Sequence, residues 1–220
     1  MAGTTHFGWN RDIVAAVLLC AAAGMADAVG YVHGGIFAAN MTGNTVLAGL
    51  ALADGQWIKA LQRIATLAVF FAGAVLGRTL LNLSGNRSAV PLAIEAGFTF
   101  LAAFLASEGN VEIALITFAM GIQTTALTRF HGVALSTVVM TSTMARLAES
   151  AADRLMRGFG RRAPLHGVPG GLLMWTWVAY GGGAAIAGVL VRYVAVPLAL
   201  PALVVIGVTA LYVRALSPRG

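Results

Sequence analysis

Charge is what this chain has least of. Only 10% of its 220 residues are Asp, Glu, Lys or Arg, against about 25% in an ordinary soluble domain. Hydrophobic residues make up 59% and the mean hydropathy is +0.84. That balance excludes a separate soluble domain, because a chain this long supplies about six spans of about 20 residues plus short connections. There is a single cysteine, Cys20, inside an apolar run. Disulfides and cysteine metal sites within one chain are therefore excluded, and Cys20 reads as a small buried hydrophobe. Also absent are a Walker A loop, a GxSxG, an HExxH and a GxGxxG at a strand-to-helix turn. An ATP-driven pump does not fit, and no positioned nucleophile supports an enzyme, so the expectation is a non-enzyme with no cofactor and no metal. The net charge of +6 would suggest nucleic acid for a soluble protein. Here the arginines lie between apolar runs, where they set orientation, so the expected partner is the lipid bilayer and not nucleic acid.

What is present is a series of apolar runs, at about 13–32, 37–53, 58–81, 89–106, 111–127, 170–191 and 194–213. The run at 37–53 is short and stops at the turn signal Asp54-Gly55. The first run resembles a signal peptide in outline, but it is span-length and carries Asp27, so it reads as the first span, with Trp9 as an interfacial anchor before it. The expected fold class is all-α: a polytopic transmembrane helix bundle of about six spans plus two broken or re-entrant helices, in one domain over 1–220. If the runs near Met41 and Met140 do not cross, eleven basic residues lie on one side and three on the other; if both cross, giving eight spans, the division is ten against four. Both versions put the two termini in the cytoplasm of a bacterial inner membrane. Length favours six, because the run after Met140 meets Arg146 and Glu149 early. Residues 140–157 place Met140, Met144, Leu147, Ala151 and Leu155 on one helical face and charge on the rest, the pattern of an interfacial helix near anionic headgroups.

One pattern occurs twice. Gly24-Met-Ala-Asp27 runs through Gly30-Tyr31 to His33-Gly34, and the chain resumes at Asn40-Met41-Thr42-Gly43-Asn44; the second half offers Gly121-Ile-Gln123-Thr124, then His131-Gly132 and Met140-Thr141-Ser142-Thr143. Two repeats follow, at about 13–106 and 111–214. Three crossings in each would make them inverted, and paired helix breaks at matching places in two repeats point to a binding site between them. Gly73-Ala-Val-Leu-Gly77 and the small residues of 181–188 mark helix contacts, and these two spans are expected to pack on each other, within a subunit or across a homo-oligomer interface.

Gly-Met-x-Asp-Ala-x-Gly-Tyr leading into Phe37-x-x-Asn-Met-Thr-Gly-Asn44, with a Gly-x-Gln helix and a second Thr-rich break, resembles the YoaK-like family of bacterial inner-membrane proteins. The resemblance runs from about residue 10 to residue 215. It implies a polytopic membrane protein of unknown function and supplies no substrate or catalytic residue. In the second copy Gln123-Thr124 and Thr141-Ser142 stand where the pattern has Gln-Asn and Thr-Gly.

The polar residues inside the runs carry the chemistry. A carboxylate within a span costs a few kcal/mol unless paired, protonated or hydrated, so Asp27 either couples a proton or cation, meets a cationic substrate group, or caps the broken helix. Glu95 has the same two kinds of reading, with the structural one preferred because it lies nearer a span end. Glu112, at a span start, needs only the helix dipole. Met41 to Asn44 opens a helix whose free N–H groups would form an anion site, to which Thr42 and Asn44 add donors and Gly43 close access; self-capping is the alternative. His33 and His131 precede the two breaks, and two histidines are too few for a metal. The candidate site therefore combines Asp27, Tyr31, His33, Asn40, Thr42, Gly43 and Asn44 with Gln123, Thr124 and Thr141, serving a small-molecule permease. The competing expectation is a non-transporting protein that binds a lipid or a partner.

Overall fold

The structure, a computed structural model, describes residues 11–105, 110–126, 140–159 and 170–214. Among these residues there are eight helices and no strand: α1 (Arg11–Gly34), α2 (Met41–Ala53), α3 (Trp57–Leu83), α4 (Ala89–Phe104), α5 (Asn110–Ala126), α6 (Met140–Gly158), α7 (Gly170–Leu190) and α8 (Ala199–Arg214). Arg11–Gly34, Trp57–Leu83 and Gly171–Leu190 are long and apolar enough to cross a membrane, and three shorter helices, α2, α4 and α8, are predominantly apolar. Large apolar side chains such as Ile58, Phe71, Phe104, Val189 and Leu203 are exposed, as a lipid-facing exterior requires.

The helix bounds follow from local chemistry. α1 has Asp12 in its first turn and His33 in its last, each favoured by the helix dipole. Gly55, Gly85 and Asn86 adopt positive φ in the connections after α2 and α3. Pro91 and Pro201 fall in the first turns of α4 and α8, where the missing N–H has no helical partner to lose. The last helix begins at Ala199, later than the run from Val194 suggested. Tyr193 and Val194 both donate to Leu190 O in a closing turn, and Pro197 delays the restart.

Helix direction can be read from the buried clusters. One cluster joins Ile13 and Ala16 at the start of α1 to Leu172 and Leu173 at the start of α7, Leu92 and Ala96 in the first half of α4, Ala126 at the end of α5, and Val205 and Val208 in the middle of α8, with Tyr212 near the end of α8 packed against it. A second joins Met25 and Val29 of α1 to Ala187 of α7, Ala102 and Ala103 of α4, Ile116 and Met120 of α5, and Leu198. Thus α1, α4 and α7 run one way and α5 and α8 the other. α3 runs with α5, because a Cβ on Gly73 would meet Phe118 and one on Gly77 would meet Ile122. The central helix is α1, whose most apolar stretch is 72% buried, against 22% for that of α3.

Within the chain the two glycine-rich stretches do not pack on each other. Gly73 and Gly77 of α3 lie against α5, Gly183 of α7 lies against Ala21 of α1, and α3 and α7 share no contact among the described residues. The close approaches are real, but each is made to the first helix of the other half, because glycine removes the Cβ at five points of backbone approach, Gly24, Gly73, Gly77, Gly121 and Gly183.

Candidate functional site

The end of α1 builds a re-entrant segment. α1 closes at Gly34, and Gly35, at φ +62, turns the chain back. Ile36 N donates to Gly30 O at 3.4 Å, and a Cβ on Gly30 would sit 2.7 Å from Ile36 O, so only glycine lets the returning chain lie this close. By Asn40 the backbone has come level with Asp27, about 10 Å back along α1 from Gly34 at 1.5 Å per residue. From there α2 heads outward again, since only residues 54–56 separate it from α3, whose Arg63 Nη2 donates to Gly35 O at 3.4 Å.

Asp27 holds this arrangement together. Its Oδ1 accepts from Ala39 N at 2.5 Å and Asn40 N at 3.1 Å, and its Oδ2 accepts from the Tyr180 hydroxyl of α7. Only 3% of Asp27 is exposed. One carboxylate thus ties α1, the returning backbone and the second half of the chain, and three donors offset the cost of placing it in a span. Asn44 does the same for the other side of the loop. Fully buried, it accepts from Phe37 N at 2.9 Å and donates to Phe37 O at 2.7 Å. Asn40 caps α2 by accepting from Gly43 N at 3.0 Å, and Tyr31 stacks on Phe37 with ring centroids 4.9 Å apart. A Cβ on Gly43 would lie 2.9 Å from the Phe37 ring, so this glycine serves packing of the loop.

The structure therefore assembles Asp27, Tyr31, Asn40, Gly43 and Asn44 around Phe37, and joins Tyr180 to them. The start of α2 is capped from within, with Gly43 N on Asn40 Oδ1 and Asn44 N on Asn40 O at 3.2 Å; the side chain of Thr42 is exposed. His33 Nδ1 sits 3.0 Å from Glu112 Oε2, whose side chain is 1% exposed, so Glu112 does more than complement the dipole of α5: it fastens the end of α1 to the second half. His131 lies outside the described residues. Gln123, fully buried, donates to Leu19 O at 3.2 Å. Leu19 is about 12 Å along α1 from Asp27, so Gln123 belongs to a different level of the bundle. The Thr124 hydroxyl donates to Met120 O of its own helix at 2.9 Å, Thr141 is exposed on α6, and α2 and α6 share no contact among the described residues. The two Met-Thr helix starts are thus apart. Among the described residues no group of three His, Cys, Asp or Glu could hold a metal ion.

Comparison with known proteins agrees with this membrane-type bundle. A family described as "Protein of unknown function (DUF1275)" matches residues 15–211. The chain belongs to the DUF1275 family. It is 36% identical over 149 residues to the UPF0700 transmembrane protein YoaK of Bacillus subtilis (strain 168), a match that covers 63% of this chain and 66% of that protein, just under two thirds of its length. No solved structure matches. The YoaK-like resemblance carried by the Asp27 to Asn44 motif is thereby established, and the residues of that motif are those that build the re-entrant segment of this DUF1275 chain.

Proposed function

We propose that this DUF1275 protein is a permease for a small molecule, without enzymatic activity, built from two inverted repeats of three crossings each with both termini cytoplasmic. The observation that carries the reading is the Asp27 clamp, a re-entrant segment fastened by one carboxylate to helices of both halves. Interrupted helices at the interface of inverted repeats are where transporters place their sites.

Several features support the repeat. α1 packs on α7 as α5 packs on α3, α4 meets α5 as α8 meets α1, and α2 lies on α3 as α6 lies on α7. Gly24 meets Tyr180 O and Ala184 N; Gly121 meets Phe70 O and Ala74 N. Pro91, Gly97 and Thr99 of α4 recur at one constant spacing as Pro201, Gly207 and Thr209 of α8, and both threonines donate to the carbonyl four residues back. α5 runs opposite to α1, which is the relation that inverted repeats require. Arg11, Arg78 and Arg87 fall at one end of the bundle and Lys59, Arg63 and Arg192 at the other; Leu147 of α6 packs on the cluster at the first end, so the basic residues of α6 join that end and favour a cytoplasmic placement for it. Opening would release the N–H groups of Ala39 and Asn40 and the Tyr180 hydroxyl as donors for a polar solute.

A second reading has its own support. Asp27, Asn40 and Asn44 direct their hydrogen bonds to groups of this chain, as expected of a packing device in a protein that binds a lipid or a partner without transporting. Solute profiling of a deletion strain, with Asp27→Asn compared at equal membrane abundance, separates the two. The permease reading expects one solute class whose flux fails in both strains. Unchanged flux in the deletion strain, with Asp27→Asn lost from the membrane, contradicts it.

A further inference from the structure

Glu95 lies in α4 and is fully buried, and neither carboxyl oxygen has a hydrogen-bond partner. The capping role that its sequence position suggested has no geometry here. Its neighbours on α4, Leu92 and Ala96, belong to the cluster that includes Ile13, Leu19, Ala126, Val205 and Val208, all apolar. The titratable groups of the surrounding helices are engaged elsewhere. On α5, Glu112 is bonded to His33; on α8, Tyr212 donates to Asp12 of α1 at 3.0 Å and takes Arg11 over its ring; on α3, Arg78 is exposed. Among the described residues no counter-charge reaches Glu95.

Packing does not require an acid there. The constant spacing that relates Pro91, Gly97 and Thr99 to Pro201, Gly207 and Thr209 sets Glu95 against Val205, which is also fully buried. The same helix is thus built in the second half with an apolar side chain. A carboxylate sealed in this environment would be costly, and the group avoids the cost by carrying a proton. Sodium would need several oxygen ligands, whereas the nearby Thr99 hydroxyl is spent on Glu95 O at 2.9 Å.

We infer that Glu95 is a proton-binding site, neutral in the closed bundle and exchanging its proton with water when α4 and α8 part. Binding converts the carboxylate to the neutral acid and release returns one proton to solvent. That this proton drives transport rests on the permease reading; its binding does not.

Infrared spectroscopy of the purified full chain in liposomes tests the inference. The expected result is a neutral-carboxyl C=O band at neutral pH that shifts in D2O, disappears in Glu95→Gln, persists in Asp27→Asn and fades at alkaline pH. Glu95→Val, which copies the second half, should behave as Glu95→Gln does and keeps the test open should the amide misfold; both should retain wild-type thermal stability. A missing band, a band unchanged in both Glu95 variants, or one that never shifts in D2O overturns the inference. An exchangeable Glu95 band in a protein that moves no solute supports the proton site and overturns only the permease reading.

Discussion

The α1/α7 and α5/α3 crossings use the same backbone device with different polar chemistry. At each, a glycine of the first helix and a glycine of the third let the two backbones touch: Gly24 with Gly183, Gly121 with Gly73. At the first crossing the carbonyl that faces the glycine belongs to Tyr180, and Asp27 follows three residues after Gly24 to accept its hydroxyl. At the second crossing those places hold Phe70 and Thr124, and Thr124 bonds only to its own helix. Close packing is therefore common to both crossings, while among the described residues the polar clamp is found at only one of them. Scaffold and site can be perturbed separately.

Asp27→Ala should have the largest effect. It strands two buried N–H groups and a phenol, and should destabilise the protein by about 3 kcal/mol in detergent unfolding. Asp27→Asn, which keeps the acceptor for Ala39 and Asn40, should lose about 1 kcal/mol. Gly24→Ala and Gly121→Ala should each cost about 2 kcal/mol, because a new Cβ meets backbone that cannot turn aside. Near-equal losses would sustain the shared device; a loss confined to Gly24 would break it.

Much of this was readable in advance. The helices were legible because long apolar runs with few charges have few alternatives in 220 residues. The break after His33 was legible because Gly34-Gly35 weakens the helix just ahead of a new helix start signalled by Asn40-Met41-Thr42. Partners across the chain were not. Tyr180 is one phenol in an apolar run, and nothing local says that it meets a carboxylate 153 residues earlier. Phe37 was hidden for another reason: Asn44 bonds its backbone, which leaves no trace in residue type. The glycines announced close contacts without naming their partners, so α3 and α7 were wrongly paired with each other within the subunit.

Smaller changes sharpen the contrast. Asn44→Leu should cost about 2 kcal/mol by leaving both backbone groups of Phe37 unpaired, and thermal denaturation will read it. Tyr180→Phe should cost about 1.5 kcal/mol, whereas Phe70→Tyr, with no acid to meet, should give no compensating gain. Thr42→Ala and Thr141→Ala, both at exposed positions, should fall within about 0.5 kcal/mol of wild type.

The central claim, that Asp27 fastens the re-entrant segment to α1 and α7, is tested most directly by amide hydrogen exchange across residues 36–44 in wild type, Tyr180→Phe and Asp27→Ala. The account predicts protected amides at Ala39 and Asn40 in wild type, faster exchange in Tyr180→Phe and near-complete loss of protection in Asp27→Ala, with the centre of α1 unchanged. Equal protection in all three proteins would contradict it.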